Sequence, residues 1–146
     1  MGENVATSRD HKEQDAKRMR DYQAHKSKYL LPTEVYHQTL WIIRDYDRMK
    51  AEAAAILEES PPPPDGQPKG TGTGDEVFSK ATRREEYVRK TRAIEAALDI
   101  VPEEYRRGVW RNVTEGVRYP MDADRTTYGR WKSRFIFEAA NRLGIV

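Results

Sequence analysis

The sequence predicts an all-α chain: a long antiparallel helical hairpin with a Pro/Gly-rich connector, followed by a small C-terminal domain of two shorter helices. Three observations lead there. Two segments carry apolar residues in 4-3-4-3 spacing, Ile42, Tyr46, Met49, Ala53 and Ile56 in the first and Tyr87, Thr91, Ile94, Leu98 and Val101 in the second. That is the seam a helix shows to a lengthwise partner. Between them lies "PPPPDGQPKGTGTGD", whose prolines and glycines cannot continue a helix. Residues 102–146 then carry two further helix start and stop signals. With 37% hydrophobic and 34% charged residues, the core is thin, which suits elongated helices with a small globular end.

Residues 1–28 are polar and mixed in sign, with few apolar anchors. They read as a partly disordered arm. A sharper alternative is a basic arm around Lys17, Arg18, Arg20, Lys26 and Lys28 that touches phosphates. The hairpin is expected over residues 29–101, with helices at about 32–60 and 76–101 and a linker at 61–75. Pro32 fits the first turn of the first helix, where its missing N–H leaves nothing unsatisfied. Val35 extends the seam one heptad upstream, while Trp41 and Ile43 lie off it and call for cover on a second side. The proline part of the linker should be extended and its glycine part flexible. Its order Lys69-Gly70-Thr71, with no strand before it, does not make a phosphate loop, and a role of the prolines as an SH3-type ligand has no supporting context.

In the second long helix Arg83, Arg84, Glu85 and Glu86 are too charged to be buried; they stand in solvent or serve a partner chain. A two-helix hairpin rarely stabilises itself, so a homo-oligomer through it is expected. Pro102 with Glu103 and Glu104 opens the next helix, acidic groups facing the positive dipole end. Tyr105, Val109 and Val113 line its face, widened by Trp110, and Gly116 stops it. Asp122 or Asp124 caps the last helix. Its apolar stripe is Tyr128, Trp131, Phe135, Ala139 and Leu143, with Gly144 at the end.

Catalytic and metal-binding patterns are not found. The chain has no cysteine, so no disulfide or thiolate site exists and a reducing compartment suits it. His11, His25 and His37 show no ligand spacing, and Asp45 and Asp47 diverge around the helix and pair more naturally with Arg44 and Arg48. A non-enzymatic protein without cofactor or metal is expected. "NVT" at Asn112 matches a glycosylation acceptor with no route to the secretory pathway. No run of 18 apolar residues exists, no apolar leader opens the chain, and Ala6 spoils a myristoylation signal. The expectation is a cytoplasmic protein with no membrane partner.

The net charge of +2 hides an uneven distribution. From Arg125 to Arg142 there are five cations against the single anion Glu138, compatible with a polyanion partner. "DRTTYGRWKSR" offers small polar residues at a helix start and Arg or Lys alongside, as a helix in the major groove requires. Four or five phosphate-facing cations would give an affinity slope of roughly −4 against log salt.

"VPEEYRRGVWRNVTEG" followed by "RTTYGRWKSRFIFEAANRLG" resembles region 4 of bacterial sigma factors and the C-terminal part of phage late-transcription regulators of the RinA/ArpU type. Pro102, Tyr105, Arg106, Glu115, Gly116, Thr126, Thr127, Arg130 and Ala139 or Ala140 occupy comparable places. The resemblance implies a helix-turn-helix-like DNA-binding domain at 102–146. It assigns DNA contact to Arg125, Thr126, Thr127, Arg130, Lys132, Ser133 and Arg134, with double-stranded DNA and RNA polymerase as partners of a transcriptional regulator. In that family a full helix lies between the glycine exit and the recognition helix. Here there is only "VRYPMDAD", so either that positioning helix is lost or the motif runs in another register. Two alternatives stand beside it: a phage packaging component such as a small terminase subunit, and a helical protein-interaction module that does not bind DNA.

Overall fold

A computed structural model describes residues 21–59 and 73–146. The expectations for the arm before residue 21, with Lys17, Arg18, Arg20 and His11, and for 60–72 of the linker lie outside the described residues. Within them all regular structure is helical: α1 Thr33–Arg44, α2 Tyr46–Glu59, α3 Thr73–Leu98, α4 Glu103–Glu115 and α5 Arg125–Arg142.

The first long segment is interrupted at Asp45, where the spacing predicts a single continuous helix. Asp45 has φ −87° and ψ 1°, and its N–H is shared between the carbonyls of Trp41 and Ile42. The burial pattern explains what the interruption achieves. α1 buries Tyr36, Thr39, Leu40 and Ile43, whereas α2 buries Met49, Ala53 and Ile56. At 100° per residue these stripes differ by roughly a third of a turn. The two helices accordingly have different neighbours, α1 facing α4 and α5 while α2 faces α3. The expected seam therefore stops at the break, and Val35 and Ile42 are only partly buried. Trp41 needs correcting too: it is 71% exposed rather than covered, because no helix packs on that side of α1. Ile43 is fully buried, as its second-side cover requires.

α2 and α3 lie against each other with opposite chain directions. The Tyr46 hydroxyl donates to the Glu95 carboxylate, the Lys50 ammonium pairs with Glu95 at 2.9 Å, Arg48 reaches the Tyr87 hydroxyl at 3.4 Å, and Lys80 approaches Glu59 at 3.8 Å. Low numbers on one helix thus meet high numbers on the other. α3 starts at Thr73, inside the expected linker, with Asp75 and Glu76 in its first turn favouring the positive end of the helix dipole.

α5 is the hub, packing on α1, α3 and α4. Tyr128, Phe135, Ile136, Ala139 and Ala140 are buried along it and join Leu40, Ile43, Ile94, Val101, Val109 and Val113 in one core. Ala139 and Ala140, both buried, keep that part of α5 slim. The segment before α1 also belongs to this body. Leu31 is buried, its N–H and carbonyl both bonded to the Gln23 amide at 2.9 and 2.8 Å, and Asp21 pairs with Arg44. Residues 21–28, expected to be part of a loose arm, are thereby tied to the first helix.

Candidate nucleic-acid interface

The two C-terminal helices are set by local signals. Pro102 precedes α4, with Glu103 and Glu104 in the first turn, and Gly116 ends it in the left-handed conformation at φ 71°. Such a C-terminal stop favours glycine because a Cβ would strain the backbone. No helix forms between Gly116 and α5. Tyr119 instead stacks on Tyr128, ring centroids 5.0 Å apart and planes 10° apart, and the Tyr128 hydroxyl donates to Asp122 at 2.6 Å. Asp124 caps α5, its carboxylate accepting from the Thr126 N–H at 3.3 Å. The connector thus clamps the start of α5 by aromatic stacking rather than by an intervening helix. Burial pushes the Tyr119 and Tyr128 hydroxyls up to about 12, with the Asp122 hydrogen bond contributing at Tyr128, so both rings stay neutral in the clamp.

The seven residues expected to contact DNA divide into three groups. Arg125, Thr126 and Arg130 are exposed, and among the described residues no ion pair involves either arginine. Thr126 and Arg130 are four apart and share the outer face of α5, opposite the buried stripe. Thr127 and Ser133 are half-buried at the margins of that face.

Lys132 and Arg134 require correction. Lys132 is only 9% exposed, and its ammonium donates to the Asn112 amide oxygen on α4 at 2.9 Å. Its position on the buried stripe, four residues from Tyr128 and from Ile136, turns it inward, its methylenes serving as packing surface. Arg134 is on the outer face but engaged: it bonds the Tyr29 hydroxyl, sits 4.8 Å over the Tyr29 ring and meets Glu138 at 3.2 Å. Tyr29 also packs on Phe137, centroids 5.4 Å apart. Tyr29, in the segment before α1, therefore covers α5 at Arg134 and Phe137. Glu138 also lies 3.9 Å from Arg142. Of the five cations counted in this helix, Arg125 and Arg130 stand clear, and Arg118 in the connector is a further exposed cation that the helix-centred reading passes over.

Two concavities among the described residues lie elsewhere. An open groove of about 500 Å³ is lined by Asp21, Tyr22, Gln23, His25, Thr33, Tyr36 and His37. Among the described residues no cluster of His, Asp and Glu could hold a metal ion. Nor is any described helix long and apolar enough to cross a membrane. Comparison with protein-family models, with curated proteins and with solved structures finds no match to this chain.

Proposed function

We propose that this chain is a phage or prophage DNA-binding protein, a cytoplasmic, non-enzymatic transcriptional regulator that presents the N-terminal half of α5 to the major groove of double-stranded DNA. In this reading α4, the stacked connector and α5 form a helix-turn-helix-like unit, α2 and α3 form the hairpin through which copies associate, and RNA polymerase is the further partner. The single observation that carries it is the pairing of two faces on α5. Tyr128 and Phe135 root the helix in the core, while Arg125, Thr126 and Arg130 stand exposed at its capped start. A groove-reading helix needs that division, because small polar groups reach base edges and guanidiniums hold phosphates. The regulatory and phage parts of the reading rest on the resemblance of residues 102–146.

The test is duplex DNA affinity measured over a range of salt concentrations. Two phosphate-facing cations lead to a log–log slope of roughly −2, shallower than five free cations would give. Absence of binding at low salt overturns the proposal. A second reading, the helical interaction module, is favoured by Trp41, an indole 71% exposed beside Gln38, Ile42 and Arg44. Exposed tryptophans of this kind anchor protein interfaces.

A further inference from the structure

Residues 23–31 form a closed loop that rests on α5. The Gln23 side-chain amide joins its ends, accepting from the Leu31 N–H at 2.9 Å and donating to the Leu31 carbonyl at 2.8 Å. Within it the Ser27 N–H bonds the Ala24 carbonyl at 3.3 Å, and the Ser27 hydroxyl accepts from the Tyr29 N–H at 3.1 Å. Leu31 anchors the loop in the core, and Tyr29 seats it on Arg134 and Phe137. A surface loop whose ends meet and whose own groups bond each other is compact and keeps its shape. The side chains on its outer side are cationic. Ala24, His25, Lys26 and Lys28 are exposed, and among the described residues neither lysine has a hydrogen bond or ion pair. From Tyr22 to Thr33 the chain carries no carboxylate. Of the acids around the loop, Asp21 is paired with Arg44 and Glu138 is shared by Arg134 and Arg142. That leaves Glu34, in the first turn of α1, against the two lysines.

We propose that this loop is a second DNA-contacting element, with Lys26 and Lys28 gripping the phosphate backbone beside the groove that α5 enters. The inference rests on the reading of α5 as a groove helix and adds what holds that helix in register. Solvated lysines are common on any protein surface. These two differ in being carried by a loop that Tyr29 fastens to that helix. Lys28 directly precedes Tyr29, and Arg130 lies one turn, about 6 Å, from Arg134 along the outer face of α5. Phosphate contacts fix the orientation of a reading element and carry no sequence information. On α5 itself only Arg125 and Arg130 stand clear for that work, and two contacts from one short helix leave it free to roll about its axis. Contacts from a separate segment beside it oppose the roll. Four cations on phosphate lead to a salt slope of about −3.6, where α5 alone gives about −1.8.

The test is binding of the full chain to a random-sequence duplex over a range of salt. Lys26→Ala with Lys28→Ala is expected to flatten the slope by about 1.8 and to leave the helical circular dichroism unchanged. The charge-matched control is Arg83→Ala with Arg92→Ala, both exposed on α3, which is expected to leave the slope in place. Tyr29→Ala unseats the loop but keeps its charges. Affinity should then fall several-fold at fixed salt with the slope retained, because the lysines still reach phosphate but must be ordered on binding. The absence of cysteine from the chain allows a test of proximity as well. An iron–EDTA label on Ala24→Cys is expected to cut the bound duplex, and the same label on Glu52→Cys of α2 is not. Three results overturn the loop contact: a lysine variant that flattens the slope no more than the α3 control, a Tyr29→Ala chain with unaltered affinity, or labels that cut alike. Wild-type binding with a slope near −1.8 that the lysine changes do not move defeats the loop alone. No duplex binding at low salt by any of these chains defeats the groove-helix reading itself.

Discussion

Gly108 in the middle of α4 and Tyr128 near the start of α5 are in such close approach that a Cβ on Gly108 would lie 2.6 Å from the tyrosine Cε1 and 2.8 Å from Pro120 Cδ. Tyr128 is fully buried and stacked on Tyr119, so its ring has nowhere to retreat. Alanine is favoured over glycine in a helix by about 0.8–1 kcal/mol, and at most helical sites Gly→Ala would stabilise. At Gly108 the overlap is expected to reverse the sign, for a net loss of about 1–3 kcal/mol. Gly129 in α5 is the internal control. Nothing lies within 4 Å of a Cβ there, and Gly129→Ala is expected to stabilise by about 0.5–1 kcal/mol. Urea denaturation of both variants, followed by tryptophan fluorescence, compares the signs.

The Lys132 ammonium and the Asn112 amide link α5 to α4 from the inside. Asn112 also donates from its Nδ2 to the Val117 carbonyl at 2.9 Å, holding the first residue after the glycine stop. Asn112→Ala removes both bonds at once. The expected loss is about 1–3 kcal/mol, the penalty of depriving a largely buried charged donor of the Asn112 acceptor and the Val117 carbonyl of its donor. Asn112→Asp, which can still accept from the ammonium but cannot donate to Val117, is expected to lose less. Equal losses from the two substitutions would show that the Lys132 bond contributes nothing.

Local chemistry makes much of this fold readable in the sequence. The Asp124 cap and the glycine stops at 116 and 144 are rules that act within one or two turns, and each is realised. Pro32 and Pro102 stand one position before the first turn expected for them, and the α5 stripe is buried at Tyr128, Phe135, Ala139 and Leu143 while Trp131 is only half-buried. What the sequence does not reveal depends on long-range partners. Tyr29 finds Arg134 across 105 residues, and no spacing rule encodes that meeting. The break at Asp45 answers to a change of neighbours between α1 and α2, whereas the 4-3-4-3 pattern reads smoothly through it. Lys132 reads as a free cation by its charge, although its position four residues before Ile136 puts it on the buried stripe. In the candidate site, the exposed Arg125, Thr126 and Arg130 are legible as a polar helix start, and the loss of Arg134 to Tyr29 is not.

Two pH windows should bracket the fold. The Tyr46 hydroxyl, followed by the Lys50 ammonium, holds the Glu95 carboxyl below its ordinary value of 4.5, and hydrogen bonding from Arg48 does the same for Asp45. A carboxyl whose value is lowered by folding favours the folded state above its ordinary value, and that contribution disappears as pH falls through the lowered one. The α2–α3 contact is therefore expected to loosen below about pH 4.5, and Glu95→Gln to blunt that acid sensitivity. At the alkaline end the sign is opposite. Tyr119 and Tyr128 are raised from 10.0 to about 12. Their contribution is complete below pH 10 and is lost as pH climbs through about 12. Tyrosinate absorbance read alongside tryptophan fluorescence is expected to show the stacked connector opening in that upper window.

The division of cations on α5 gives the sharpest expectation for DNA. Arg125→Ala and Arg130→Ala each remove a side chain free to meet phosphate, and each is expected to reduce the steepness of the salt dependence by about 0.9. Lys132→Met is expected to leave the slope unchanged, since its ammonium is already bonded to Asn112. Arg134→Ala should act through structure, because its guanidinium is shared between Tyr29 and Glu138. The slope should stay the same while residues 21–31 become more open to limited proteolysis, and Tyr29→Ala should reproduce that opening. If Thr126 meets a base edge, Thr126→Val will weaken a cognate site by about 1–3 kcal/mol and barely affect random duplex. A slope that flattens equally for Lys132→Met and Arg130→Ala would mean that binding follows the charge total of the chain. The outer face of α5 would then have no special place in it, since only that face distinguishes the two cations.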